Sequence, residues 1–237
     1  MTAQAQPSGK DPTPALKVLE AAHHFSTLPM DVKDSLARQM IPRVYEPGNV
    51  ICLEGDKGEY IYFVEKGWVK SVRTATDGRE QAALFLHDGE IIGSEAVFTA
   101  GTYELTSITL EKVYTWAVPA GVLKVLVTRN PPLAMVFLEL LGARVNYYIQ
   151  LVEDLGLRSV QARIAHTLLD HVEIKDGMLV VPRRPWTTLD AMAARLGTVR
   201  DVLKRALNVF EADGVLRLEH NRIVILDAQK LVERGKA

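Results

Sequence analysis

One change of period constrains this chain more than any other feature. Before residue 130, glycines recur at 48, 55, 58, 67, 78, 89, 93 and 101 with short β-branched or aromatic runs between them. After Pro131-Pro132 the apolar residues advance at helical spacing instead. The runs Tyr60 to Val64, Trp68 to Arg73, Ala82 to Leu86, Leu105 to Thr109 and Val113 to Val118 read as strands, with Asp77-Gly78 and Asp88-Gly89 as turns. Many short strands at this interval close or roll up an antiparallel sheet. Ahead of them, Leu16, Leu19, Phe25, Val32, Leu36 and Met40 give short helices over 15–41.

In the helical segment Leu138, Leu141, Val145, Tyr148, Val152 and Leu155 advance by 3, 4, 3, 4, 3, a heptad seam. A second apolar set, Phe137, Leu140, Tyr147 and Leu151, sits one position earlier. The apolar face is therefore wider than one small roll needs, and the spacing predicts a helix touching both its own sheet and a partner helix in a homodimer. From 133 to 156 it would span roughly 36 Å, with Gly156 ending it.

Beyond this helix the chain changes charge. Residues 1–156 carry 14 basic and 19 acidic side chains, whereas 157–237 carry 14 basic and 10 acidic, so a net −5 gives way to +4. The two halves are built for different partners. Val160, Ile164, Leu168 and Leu169 share a helical face, 178–181 reads as a strand, and Thr187-Thr188-Leu189-Asp190 reads as a capping box in which Thr187 and Asp190 cap each other.

The string TLDAMAARLGTVRDVLKRALNVFEADGVL follows. Leu189, Met192, Ala193 and Leu196 form one face, Gly197 permits a tight turn, and Val199, Leu203, Ala206, Leu207 and Phe210 form the next face. This is helix-turn-helix spacing. The runs 215–218 and 223–226, joined at His220-Asn221, read as a wing. Arg200, Asp201, Lys204 and Arg205 lie opposite the apolar face of the second helix. Arginine presents a fork to guanine, a carboxylate accepts from cytosine N4, and Lys or the hydroxyls of Thr188 and Thr198 reach phosphate, as does Arg222 in the wing. The competing reading is a solvated face with an Asp201–Arg205 ion pair.

The arrangement from about 15 to 232 resembles the CRP/FNR family of bacterial transcription regulators. The residues that carry the resemblance are GDKGEYIYFVEKGWVKS, ARIAHTLLDH and LGTVRDVLKRALNVFEADGVL. It implies an α+β fold: an N-terminal antiparallel double-stranded β-roll with a long dimerisation helix, then a C-terminal winged helix-turn-helix domain. The expected divisions are a flexible N-terminus at 1–14, a sensor roll at 15–130, the dimerisation helix at 131–156 and the DNA-binding domain at 157–237. The resemblance also implies double-stranded DNA with a palindromic operator as partner, with RNA polymerase a further one, and a cytoplasmic location. In the family the position of Arg200 reads a guanine, that of Arg205 contributes to a second, that of Asp201 is usually Glu, and that of Lys204 is often Ser or Gly.

For the effector, the positions that hold a cyclic nucleotide in some members correspond to Gly93, Ser94, Glu95, Glu104 and Leu105, with Glu104-Leu105 where Arg-Ser would stand. No Lys or Arg lies between Arg79 and Lys112, while Glu80, Asp88, Glu90, Glu95, Glu104 and Glu111 do. A buried phosphodiester there lacks a charge-assisted partner, so cAMP is not expected. One cysteine, Cys52, excludes an iron–sulfur cluster held by several thiolates of one chain. EAAHHFSTLP and Glu95 to Phe98 resemble Dnr-type regulators, which implies a haem-based nitric oxide sensor, with His23 or His24 as axial ligand, against ordinary surface or packing histidines. An effector-independent regulator is the other alternative.

Two rivals come from different classes. A metal-dependent cupin-like enzyme needs a His-x-His on one strand, which the sequence lacks, as it lacks a P-loop and an H-E-x-x-H; no enzyme activity is expected. A pure interaction module would bind no genomic fragment in a mobility shift. The most apolar stretch, LAMVFLELLGARV, is broken by Glu139 and Arg144 short of a membrane span, and residues 1–15 lack the apolar core of a secretory signal.

Overall fold

The computed structural model describes residues 12–99 and 101–236, together with the backbone of Gln4–Ala5. The chain divides into two compact units, Met1–Arg73 with Ala83–Tyr147, and Thr74–Ala82 with Tyr148–Ala237.

The first unit begins with β1 (Gln4–Ala5), α1 (Thr13–Ala21) and α2 (Met30–Ala37). The roll follows as β2 (Ile41–Tyr45), β3 (Val50–Cys52), β4 (Tyr60–Lys66), β5 (Val69–Thr74), β6 (Glu80–Leu86), β7 (Ile91–Ile92), α3 (Ser94–Phe98), β8 (Thr106–Thr109) and β9 (Val113–Pro119). They form two antiparallel sheets, ordered β1-β2-β9-β4-β7 and β3-β8-β5-β6. The five expected strands are present within two residues of their expected ends. Short β2, β3 and β7 went unread, because Pro42 and runs of two or three residues give no countable alternation. Of the N-terminus expected to be loose, β1 pairs with Val44 and Arg43 of β2, and α1 begins at Thr13. The rest of 1–11 lies outside the described residues.

On β4 the alternation separates two environments. Ile61 and Phe63 face the helices, where Phe25 sets its edge against Phe63 and Phe137 at centroid distances of 5.0 and 5.4 Å. Tyr62, in register with Ile92 and Ala117, faces the other way. α4 (Ala120–Arg129) leads to α5 (Pro131–Leu157), which continues one residue past Gly156.

The second unit holds α6 (Val160–Asp170), β10 (Glu173–Lys175), β11 (Met178–Pro182), a 3-10 turn at Pro185–Thr187, α7 (Leu189–Arg195), α8 (Arg200–Ala212), β12 (Leu216–Leu218), β13 (Arg222–Ile225) and α9 (Ala228–Gly235). Its sheet runs β10-β11-β13-β12. Trp186, Met192, Leu203, Leu207 and Phe210 are buried at its centre.

The capping box moves by one residue. Thr187 closes the 3-10 turn with its hydroxyl donating to the Arg184 carbonyl at 2.8 Å, and Thr188 caps α7 by accepting from the Ala191 amide at 3.2 Å. Pro185 forces the extra turn, since its fixed φ suits the first position of a helical turn. No single helix among the described residues is long and apolar enough to cross a membrane.

Candidate nucleic-acid interface and sensor roll

α8 is anchored by Leu203, Ala206, Leu207 and Phe210, all buried, which turns Arg200, Asp201, Lys204 and Arg205 outward. The turn before it depends on Gly197, whose φ is +59°; a Cβ there would sit 2.7 Å from Leu155 Cδ2. Arg163 donates to the Leu196 carbonyl and holds that turn. Thr198 is half-buried, its amide donating to the Ala193 carbonyl at 3.0 Å.

The exposed face differs from a row of free charges. Arg200 pairs with Asp190 of α7 at 3.2 Å. Arg205 donates to the Asp201 carbonyl at 3.4 Å, so its partner is backbone where an ion pair with the carboxylate was the competing expectation. Arg222 is bonded to Glu219 at 2.7 Å, and Arg217 holds the same carboxylate at 2.9 Å. Arg222 first, then Arg217, hold the Glu219 carboxyl below its usual range. The wing arginine is thus already partnered, by a carboxylate three residues before it. Thr188 likewise spends its hydroxyl on the α7 cap.

The sequence-based seam of α5 shifts register. Leu138, Val145 and Val152 are exposed as expected, but Leu141, Tyr148 and Leu155 are half-buried, and Gly142, Ile149 and Gly156 take their places on the open face. The open stripe is Met135, Leu138, Gly142, Val145, Ile149, Val152 and Gly156, a continuous 3-4 repeat with Val152 70% exposed. Gly142, Ile149 and Gly156 belong to neither apolar set, two of them having no side chain to count, so spacing alone points to Leu141, Tyr148 and Leu155 instead.

In the roll, Gly93 has φ +75° and a Cβ there would lie 2.7 Å from the Tyr103 ring. Tyr103 donates to the Tyr60 carbonyl at 2.7 Å and accepts from the Tyr60 amide at 3.2 Å. Its hydroxyl also interacts with Cys52 and Tyr62, and Tyr62 with Tyr45. Ser71 and Ser107 share a hydrogen bond of 2.8 Å, and the buried Thr115 hydroxyl has no hydrogen-bond partner. Burial pushes the Tyr45 phenol up to about 12 and raises Tyr62, Tyr103 and the Cys52 thiol as well. This group of residues is neutral at physiological pH. Of the positions expected to line a pocket, Ser94 is fully buried, Glu104 is exposed and Leu105 half-buried, with Tyr103 the inward residue of that stretch.

The expectation that this part of the roll has no cation is overturned. Arg144 of α5, only 11% exposed, donates to Glu95 at 2.9 Å and to the Ile91 carbonyl. The fold supplies from 49 residues away the cation that 80–111 lacks, and Glu95 neutralises it. Burial also pushes the Glu90 carboxyl up, against the pull of its bond from the His87 amide and of nearby His87 and Arg144.

His23 and His24 do not fit a haem. Their rings stand edge to face at 5.3 Å on a turn, His23 is exposed, and the adjacent Phe25 is buried against Phe63 and Phe137. The next residues, Ser26 and Thr27, bond back to the carbonyls of the two histidines and close the turn. No cluster suited to a metal ion occurs among the described residues.

Residues 42–130 match the cyclic nucleotide-binding domain and 162–234 the Crp-like helix-turn-helix domain. The chain belongs to the CRP/FNR family of transcription regulators. It is 25% identical over 224 residues to the CRP-like cAMP-activated global transcriptional regulator of Mycobacterium tuberculosis, covering 93% of this chain and 99% of that one. It is 27% identical over 191 residues to the cyclic AMP receptor protein of Thermus thermophilus, covering 81% and 86%. The fold is shared with FixK2 from Bradyrhizobium japonicum at TM-score 0.73 and 21% identity, covering 84% of this chain and 98% of that one. A CooA variant from Carboxydothermus hydrogenoformans gives TM-score 0.74 at 16% identity, covering 98% of each chain.

Proposed function

We propose that this CRP/FNR regulator works in the cytoplasm as a homodimer joined along the open stripe of α5, reading a palindromic operator with two copies of α8. The observation that carries the reading is α8 itself: Leu203, Ala206, Leu207 and Phe210 are buried on one side while Arg200, Asp201, Lys204 and Arg205 face outward. The domain division that goes with it is a sensor at 15–130, a dimer helix at 131–156 and a DNA-binding domain at 157–237. Half-sites would lie about one helical turn apart, since a two-fold dimer presents the same helix twice. Transcription is then altered through RNA polymerase. The test is selection of sites from a randomised duplex pool, followed by titration against selected and scrambled duplexes at several salt concentrations. Equal affinity for both would refute sequence-specific reading.

The effector of the roll, in this reading, is not cAMP, although relatives are named for it. Support comes from Tyr103 over Gly93 and from Glu95 seated on Arg144. Calorimetry with cAMP up to roughly 100 μM, a range equivalent to about −5.5 kcal/mol, should give no saturable heat; one-to-one binding below that would overturn it. A second reading, a regulator that needs no effector, is favoured by the same tyrosine, which is buried with its ring against Gly93.

A further inference from the structure

We propose that Val199 determines specificity by holding the C5-methyl of a thymine in each half-site. The inference rests on the reading of α8 as the DNA-reading helix and adds a base contact to it. In the second unit, α6, α7 and α9 are capped by side chains: Ser159 accepts from Ala162, Thr188 from Ala191 and Asp227 from Lys230. α8 departs from that rule. Its N-cap is Val199, at φ −105° and ψ 153°, with no side-chain cap. Valine ranks among the poorest residues at an N-cap because it has no oxygen to accept an amide of the first turn.

Where a chain breaks a local rule, the reason is sought in function. Val199 does not recover the loss by packing, since it is 53% exposed. It stands exposed beside Arg200 on the surface at the start of α8, although its spacing placed it in the apolar face with Leu203. A branched methyl pair on that surface has one complementary partner among the groups of the major groove, the thymine methyl; every other distinguishing group there donates or accepts a hydrogen bond. Arg200 and Val199 together then read a guanine and an adjacent thymine.

The experiment uses the full-length chain as wild type, Val199→Ser and Val199→Ala, with sites selected from a randomised duplex pool. The selected operator is then remade with deoxyuracil in place of each thymine, which removes the methyl alone. Wild type should prefer thymine by about fourfold per half-site at one position, the value of a buried methyl group, and that position should neighbour the one relaxed by Arg200→Ala. Both variants should bind thymine and deoxyuracil duplexes equally. Val199→Ser should also melt at the same or a higher temperature, because its hydroxyl restores the cap, whereas Val199→Ala should not rise. Retained thymine preference in both variants, or no methyl effect at any position for wild type, would overturn the proposal. Failure of wild type to select any motif would overturn this inference and the DNA-reading model together, whereas a motif that Arg200→Ala relaxes without any methyl effect would remove Val199 alone.

Discussion

In the roll, the hydroxyls of Tyr45, Tyr62 and Tyr103, the Cys52 thiol and the pair Ser71–Ser107 find partners within the fold. On α8, Arg200, Asp201, Lys204 and Arg205 stand in solvent, and the helix begins without a side-chain cap. Thr115 apart, the first region uses its buried polar groups to close a core, since an unpartnered polar atom in low dielectric is costly. The second keeps its charged groups in solvent, with Arg200 paired to Asp190 and Arg205 to the Asp201 carbonyl. The difference teaches which substitutions should be felt as unfolding and which as altered recognition.

The strongest break of that division lies on α5, which belongs to neither class: its open stripe is apolar. Val145→Glu with Val152→Glu should give monomers by light scattering and strongly weakened DNA binding, since each charge buried without a partner costs about 3 to 5 kcal/mol. An unchanged dimer mass would refute the seam. Tyr103→Ala should destabilise the chain by about 3 to 5 kcal/mol in denaturant melts, as truncation of a buried ring does. If it were neutral, Tyr103 would be a loose lid and the roll an open pocket.

Alkali offers a milder version of the same test. The folded state holds the Tyr45 proton up to about 12 against an ordinary value of 10.0. Its contribution is therefore intact below pH 10 and is lost as pH rises from 10 through 12. The part of the tyrosinate absorbance that Tyr45→Phe removes should appear together with loss of tertiary structure; its appearance in a still-folded chain would contradict the burial of Tyr45.

Arg200→Ala should leave the melt within about 0.5 kcal/mol while costing about 1 to 3 kcal/mol per lost base contact and relaxing one base pair. Equal loss on specific and scrambled duplexes would make α8 a phosphate clamp. Arg222→Ala should have the smallest effect. Because Glu219 already holds it, the salt slope should fall by less than the roughly one unit per half-site expected of a free phosphate contact; a full unit would mean that the Glu219 pair opens on DNA.

What the sequence determined by itself was whatever is written in neighbours. The α7 and α8 faces, the Gly197 turn, the length of α5 and the glycine-bounded strands of the roll all follow from spacing within about a dozen residues, because helix and strand periods repeat over that distance. Tertiary structure alone decided the rest. Arg144 reaches Glu95 across 49 positions, so a count of charges along 80–111 could not find it. Tyr103 became the inward residue because the loop before β8 turns it over Gly93, leaving the neighbouring Glu104 in solvent. The open stripe of α5 runs through Gly142 and Ile149, where spacing predicts Leu141 and Tyr148, because those two are half-buried against the chain itself, and spacing cannot say which face a fold will cover first.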